Sequence, residues 1–239
     1  MQPAFDRLRE EMVERQIRAR GVTSPRVLHA MGRVHRERYV PLKLSVRAYE
    51  DSALPIEEGQ SISQPYIVAV MLAALDLGGD ERVLEIGTGS GYAAAVLAEL
   101  AREVYTIERH EGLARTAADR LEQDGYANVH VKHGDGTLGW PEQAPFDAIV
   151  VAAGGPRVPE SLRQQLAIGG RLVMPVGDGA GGQRLERIRR AAADKYEQES
   201  MASVRFVPLV GAQGWRDPRQ SSNDPGPVPP VRPAGRGSG

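Results

Sequence analysis

Val83-Leu84-Glu85-Ile86-Gly87-Thr88-Gly89-Ser90-Gly91-Tyr92 (VLEIGTGSGY) sets the architecture. A short apolar run that starts at Arg82 ends in three glycines alternating with small hydroxyl residues, and a helix-forming stretch, Tyr92 to Ala101, follows at once. Such a run reads as a strand buried on both faces. The glycines let backbone come close to a ligand and take dihedrals closed to other residues. The free N–H donors where the helix starts favour a negatively charged or strongly polar group. The alternation continues with strand 104–108, helix 111–123, strand 129–131, strand 146–152, helix 159–166 and strand 171–176. That spacing predicts an α/β fold of βαβ units in a doubly wound, mostly parallel sheet. Residues 184–188 and 203–210 are expected to add two further strands.

Glu108 closes the second of these strands. A carboxylate there can accept two hydrogen bonds from a ribose diol, so the pattern predicts a nucleoside-containing cofactor in the crevice at the carboxyl ends of the strands. A glycine-rich turn alone is often only a turn; strand, helix and strand-end acid together favour the cofactor. The dinucleotide fingerprint G-x-G-x-x-G/A fails, because Tyr92 stands at its third small position. No Gly-Lys-Ser/Thr follows, which disfavours a nucleotide-phosphate loop.

The G-x-G-x-G form with a strand-end acid resembles the S-adenosylmethionine-dependent methyltransferases, whose fold is Rossmann-like. The resemblance implies S-adenosyl-L-methionine as cofactor, S-adenosyl-L-homocysteine as product, and Gly87, Thr88, Gly89, Ser90, Gly91 and Glu108 as the cradle. Asp135-Gly136, after the third strand, fits the adenine-contacting position of those enzymes, although Asp-Gly is also a common turn. Glu85 either touches the methionine end of the cofactor or buttresses the loop.

The rest of the chain bounds the function. It has 239 residues with a formal charge of −1 and no cysteine. Near-neutral charge argues against nucleic-acid binding by bulk attraction. The lack of cysteine removes disulfides, thiolate metal ligands and a cysteine nucleophile, and suits a reducing cytoplasm. No metal site is expected. No apolar run approaches the roughly 18 residues of a membrane span. Residues 1–79 are expected to be an N-terminal segment that is helical at first, with Phe5–Arg20 as one helix stopped by Gly21 and Arg26–Val34 as another capped by Ser24-Pro25. Residues 80–215 would be the cofactor-binding core of the same single domain. Residues 216–239, with six prolines and four glycines, are expected to be a disordered tail.

The segment upstream of the glycine loop carries a narrower resemblance. Ala48-Tyr49-Glu50-Asp51-Ser52-Ala53-Leu54-Pro55-Ile56 and Gly59-Gln60-Ser61-Ile62-Ser63-Gln64-Pro65-Tyr66 resemble the protein-L-isoaspartate (D-aspartate) O-methyltransferases. So do Gly134-Asp135-Gly136, the stretch Gly169–Gly177 and Phe206-Val207-Pro208-Leu209-Val210. Matches run in order from about residue 8 to 211. The family usually has Thr where this chain has Ser61, a change that keeps the hydroxyl.

That resemblance implies a protein-repair enzyme that methylates the free α-carboxylate of L-isoaspartyl and D-aspartyl residues, with damaged proteins and peptides as substrates. The methyl ester then closes spontaneously to a succinimide, which opens partly to normal aspartate. Ser63 would be the active-site serine, with Gln60, Ser61, Ile62 and Val210 around the isoaspartyl group. Read without the resemblance, Ser63 is a turn hydroxyl before a helix opened by Gln64-Pro65. A monomer is expected, with neither nucleic acid nor membrane as partner. His110, His130 and His133 show no Ser/His/Asp arrangement and read as structural or exposed. The alternative is another S-adenosylmethionine-dependent methyltransferase acting on a small molecule, which would leave the Gly59–Tyr66 block without a reason. A non-enzymatic cofactor-binding module and a nicotinamide oxidoreductase are weaker rivals.

Overall fold

The computed structural model describes residues 2–177 and 182–216. Apart from Arg216, the expected tail lies outside them.

The core is a seven-stranded sheet in the order β5-β4-β3-β6-β7-β8-β9. Its members are β3 (Arg82–Ile86), β4 (Glu103–Glu108), β5 (Val129–His133), β6 (Phe146–Val151), β7 (Leu166–Val176), β8 (Gln183–Ala192) and β9 (Lys195–Val204). The pairs from β5 to β7 are parallel, and β8 and β9 turn back antiparallel. β3 lies between β4 and β6, so the winding direction reverses beside it. Ligands of open α/β sheets bind in the crevice at such a reversal.

Alternate residues of the central strands feed two cores. Val83, Val104, Ala148, Val150 and Val173 face one side, where they pack with α2 (Pro25–Arg33), α3 (Pro65–Leu75) and α4 (Tyr92–Ala98). Leu84, Ile86, Ile107, Ile149, Val151 and Leu172 face the other, with Leu162 of α6 (Glu160–Gln164). Two-sided burial explains why these strands read as unbroken apolar runs.

The expected N-terminal helix is helical but not uniform. α1 (Gln2–Glu11) passes into a π-helical stretch, Met12–Ile17, then a 3-10 turn, Arg18–Arg20, before Gly21 ends it at φ 95°. α2 begins as expected, with Ser24 Oγ accepting from Val27 N and Pro25 in the first turn. A two-residue ladder, β1 (Leu54–Pro55) with β2 (Ser61–Ile62), then leads into α3.

Two expectations are corrected. The strand expected at 171–176 starts at Leu166, and the helix before it is only Glu160–Gln164. The strand runs through Gly169-Gly170, and its pairing with β6 shifts register between Phe146 and Ala148. The last strand is not 203–210 but β9, Lys195–Val204. Its sequence KYEQESMASV is too polar to read as a strand. It is an edge strand, held by its ladder to β8 and by surface ion pairs such as Arg187–Glu199 and Arg189–Glu197. Beyond it the described residues make isolated bridges, Pro208 to Gly154 and Val210 to Trp215.

Candidate functional site

A cavity of about 280 Å³ lies at the carboxyl ends of β3 and β4. Its walls include the Gly59–Ser63 edge, the glycine loop and the strap Phe206–Val210. All three loop glycines have positive φ, at 93°, 54° and 94° for Gly87, Gly89 and Gly91, a region costly for residues with a Cβ.

Glu108 fastens this loop. Its Oε2 accepts from Gly89 N at 2.8 Å, and its Oε1 accepts from His110 N at 2.9 Å. The side chain is buried yet still borders the cavity. Each carboxylate oxygen can take a further hydrogen bond, so the group can hold the loop and a diol together.

Glu85, fully buried on β3, forms a second carboxylate site. Its Oε2 accepts from Thr106 Oγ1 at 2.6 Å, and Thr106 Oγ1 lies 2.6 Å from Thr88 Oγ1. Its Oε1 is buried without a hydrogen-bond partner among the described residues, and the residue borders the cavity. Burial pushes its pKa up to about 8, the Thr106 hydrogen bond opposes the rise, and the nearby Glu108 charge adds to it. A carboxyl raised above its unfolded value contributes stability that is complete below about pH 4.5 and is lost as pH rises through about 8. We therefore expect the unliganded wild type to lose stability, relative to Glu85→Gln, between pH 5 and 8 on thermal unfolding (roughly this window follows from linkage). A difference between the two proteins that stays flat over that range would refute the buried neutral carboxyl.

The opposite wall of the cavity is built from β2 and the residues that flank it. Gln60, Ser61, Ile62 and Ser63 all border the cavity. Ser63 Oγ makes no hydrogen bond to another described residue, while its carbonyl accepts from Arg36 Nη2 at 2.8 Å. Val210 faces the cavity from the strap.

Nearly every residue expected from the sequence thus lies on one cavity: Ser63, Gln60, Ser61, Ile62, Val210, Glu85, Gly87, Thr88, Gly89, Ser90, Glu108 and Gly136. Gly91 and Asp135 do not border it. Gly91 backs onto Ala117 and Leu121 behind the loop. The carboxylate of Asp135 is engaged inside the chain: Oδ1 accepts from Thr137 N and Thr137 Oγ1, and Oδ2 accepts from Ala212 N. A Cβ on Gly211 would come within 2.1 Å of Asp135 Oδ1, so only glycine lets the turn after the strap approach this closely. Trp215 completes the fastening, with Nε1 donating to Gly154 O at 2.9 Å and its backbone N donating to Leu209 O at 2.7 Å.

Residues 7–214 match the protein-L-isoaspartate(D-aspartate) O-methyltransferase family. The chain belongs to that family. It is 59% identical over 212 residues to protein-L-isoaspartate O-methyltransferase 1 of Rhodopseudomonas palustris, covering 89% of this chain and 86% of that one. It is 59% identical over 208 residues to protein-L-isoaspartate O-methyltransferase 2 of Marinobacter nauticus, covering 87% and 95%. A solved protein-L-isoaspartate O-methyltransferase superposes with a TM-score of 0.77 at 30% identity, covering 86% of this chain and 67% of that one. A Plasmodium falciparum structure, described as a beta-aspartate methyltransferase in complex with S-adenosyl-L-homocysteine, shares the fold with a TM-score of 0.74 at 24% identity, covering 84% and 98%.

Several cavity residues of this protein-L-isoaspartate O-methyltransferase family member escaped the sequence reading. Met71 and Leu72 border the cavity from α3, Tyr92 from α4, and Ile86, Ile107 and Val150 from the strands. Their apolar character marks them as core, and nothing in their spacing separates core from cavity wall. Arg109 and His110 follow Glu108 directly and also reach the cavity. His110 Nδ1 lies 3.7 Å from Glu58 Oε2.

Proposed function

We infer that the chain transfers the methyl group of S-adenosylmethionine to the free α-carboxylate of L-isoaspartyl and D-aspartyl residues in damaged proteins. Membership of the family over residues 7–214 carries this reading. The cavity supports the cofactor. Glu85 Oε1 is an acceptor buried beside the glycine loop without a hydrogen-bond partner among the described residues, suited to a cationic amino-acid group such as the methionine end provides. Glu108 would take the ribose hydroxyls, and Gly136 borders the cavity next to Ile86, packed so closely on it that a Cβ there would come within 2.4 Å of Ile86 Cγ2.

S-adenosylmethionine supplies, when bound, a methyl group already made electrophilic by the positive sulfur that carries it. The chain's own task is placement. An α-carboxyl titrates near about 3.3–3.7, so the substrate group is ionised at neutral pH and needs no general base. Consistent with that, Ser63 Oγ has no histidine partner among the described residues. Its hydroxyl would donate to the substrate carboxylate and orient it, without forming a covalent intermediate. Ile62, Met71, Leu72 and Val210 exclude water around it, which strengthens attraction between opposite charges. Alignment of this kind can supply roughly 7–11 kcal/mol at best.

We place the enzyme in the cytoplasm as a monomer that acts on peptide segments rather than nucleic acid. The net charge of −1 and the absence of cysteine support this, and no described helix is long and apolar enough to cross a membrane. Labelled methyl transfer to an isoaspartyl peptide and to its normal-aspartyl twin tests the function. We expect label in the first and none above background in the second; equal labelling of both would overturn it.

A further inference from the structure

Arg36 belongs to neither wall of the cavity, yet it touches both sides. It opens a one-turn 3-10 helix, Arg36–Tyr39, and is 0% exposed. Its Nε donates to Ala48 O at 2.7 Å, and its Nη2 donates to Ser63 O at 2.8 Å. Its guanidinium carbon sits 4.7 Å from the ring centre of Tyr92, the residue that follows the glycine loop and borders the cavity. Its Nη1 is buried and has no hydrogen-bond partner within bonding geometry among the described residues. The groups acting on it are two tyrosines, Tyr92 and Tyr49, and no carboxylate forms a salt bridge with it among the described residues.

A buried cation held by carbonyls and a ring, with one donor unmet, is a costly feature for a fold. Three side-chain contacts fix its plane: the two carbonyls at its edge and the aromatic face below. The flat, forked guanidinium is suited to meeting two carbonyls and one ring at once, and a lysine ammonium is not. The peptide it grips is that of Ser63, and the ring it covers stands at the first turn of the helix behind the cofactor loop.

We propose that Arg36 is a positioning residue for methyl transfer: its buried guanidinium ties the backbone of Ser63 to Tyr92, and so fixes the substrate-orienting hydroxyl of Ser63 relative to the cofactor loop. This rests on the substrate-orienting role read for Ser63. The link acts on alignment, so it governs turnover more than cofactor affinity.

Arg36→Lys and Arg36→Gln, made in the full chain, test it beside Ser63→Ala. Each is assayed for kcat at saturating isoaspartyl peptide per S-adenosylhomocysteine-binding site, for S-adenosylhomocysteine affinity by calorimetry, and for thermal unfolding. We expect both Arg36 variants to bind S-adenosylhomocysteine within about threefold of wild type while kcat per binding site falls about tenfold or more, as loss of alignment demands. A purely structural residue would lower the number of binding sites and leave kcat per site unchanged; that result overturns the proposal. Failure of both variants to fold overturns it as well, because Arg36 is then a brace for the fold alone. If Ser63→Ala is itself fully active, the substrate-orienting reading falls and the Arg36 proposal falls with it. If Ser63→Ala is impaired and the Arg36 variants turn over normally, only the Arg36 proposal falls.

Discussion

Ser63→Ala is expected to lower kcat for an isoaspartyl peptide about 100-fold while S-adenosylhomocysteine binds within about threefold of wild type. The magnitude follows from one hydrogen bond to a charged group, worth about 1.5–3 kcal/mol, at about 1.4 kcal/mol per tenfold in rate. The selectivity follows from position. Ser63 Oγ has no partner among the described residues, so its removal leaves none of their groups unsatisfied. The backbone it leaves behind is still gripped by Arg36. The loss should therefore fall on substrate orientation and spare both stability and the cofactor cradle. Steady-state kinetics with calorimetry on the same preparation decides it. A variant with wild-type kcat would remove Ser63 from the reaction.

Glu108→Gln should act on the other half of the cavity, weakening S-adenosylhomocysteine binding about 100-fold. The substitution keeps shape and replaces one acceptor oxygen by an NH2 group. Both oxygens already accept backbone N–H groups, Gly89 N at 2.8 Å and His110 N at 2.9 Å, so either rotamer sets a donor against a donor. The glycine loop then loses a charge-assisted bond, and a ribose diol would lose one of its acceptors. Together these amount to about 3 kcal/mol or more, since each such bond contributes about 1.5–3 kcal/mol. Calorimetric titration measures the effect. An affinity within about threefold of wild type would show that Glu108 only props the loop.

The cofactor half of the site was legible because its causes are local. β3, the glycine turn and β4 with Glu108 at its end each declare themselves within about ten residues, through apolar runs, glycine and a strand-end acid. The residues proposed for the substrate were legible only through the family resemblance, because Gly59–Tyr66 contains nothing but turn-like chemistry. Asp135 shows where local reading stops. Its Asp-Gly context fits a ligand contact, yet its oxygens serve Thr137 and Ala212, and the partner 77 residues away leaves no trace in the local pattern. Arg36 is similar, since one more arginine in a basic segment gives no sign that it will be buried 27 residues from the serine it holds. β9 was missed for the opposite reason: as an edge strand it needs no apolar face, so its sequence looks like loop.

Trp215 gives the strap an optical property. The chain has two tryptophans. Trp140 packs edge-on against Tyr105, 5.6 Å between ring centres, away from the cavity. Trp215 is bonded through its indole to Gly154 and through its backbone to Leu209, a cavity residue. Its emission therefore reports on the wall that a ligand must touch, and the unlabelled protein carries its own fluorophore for following occupancy in real time.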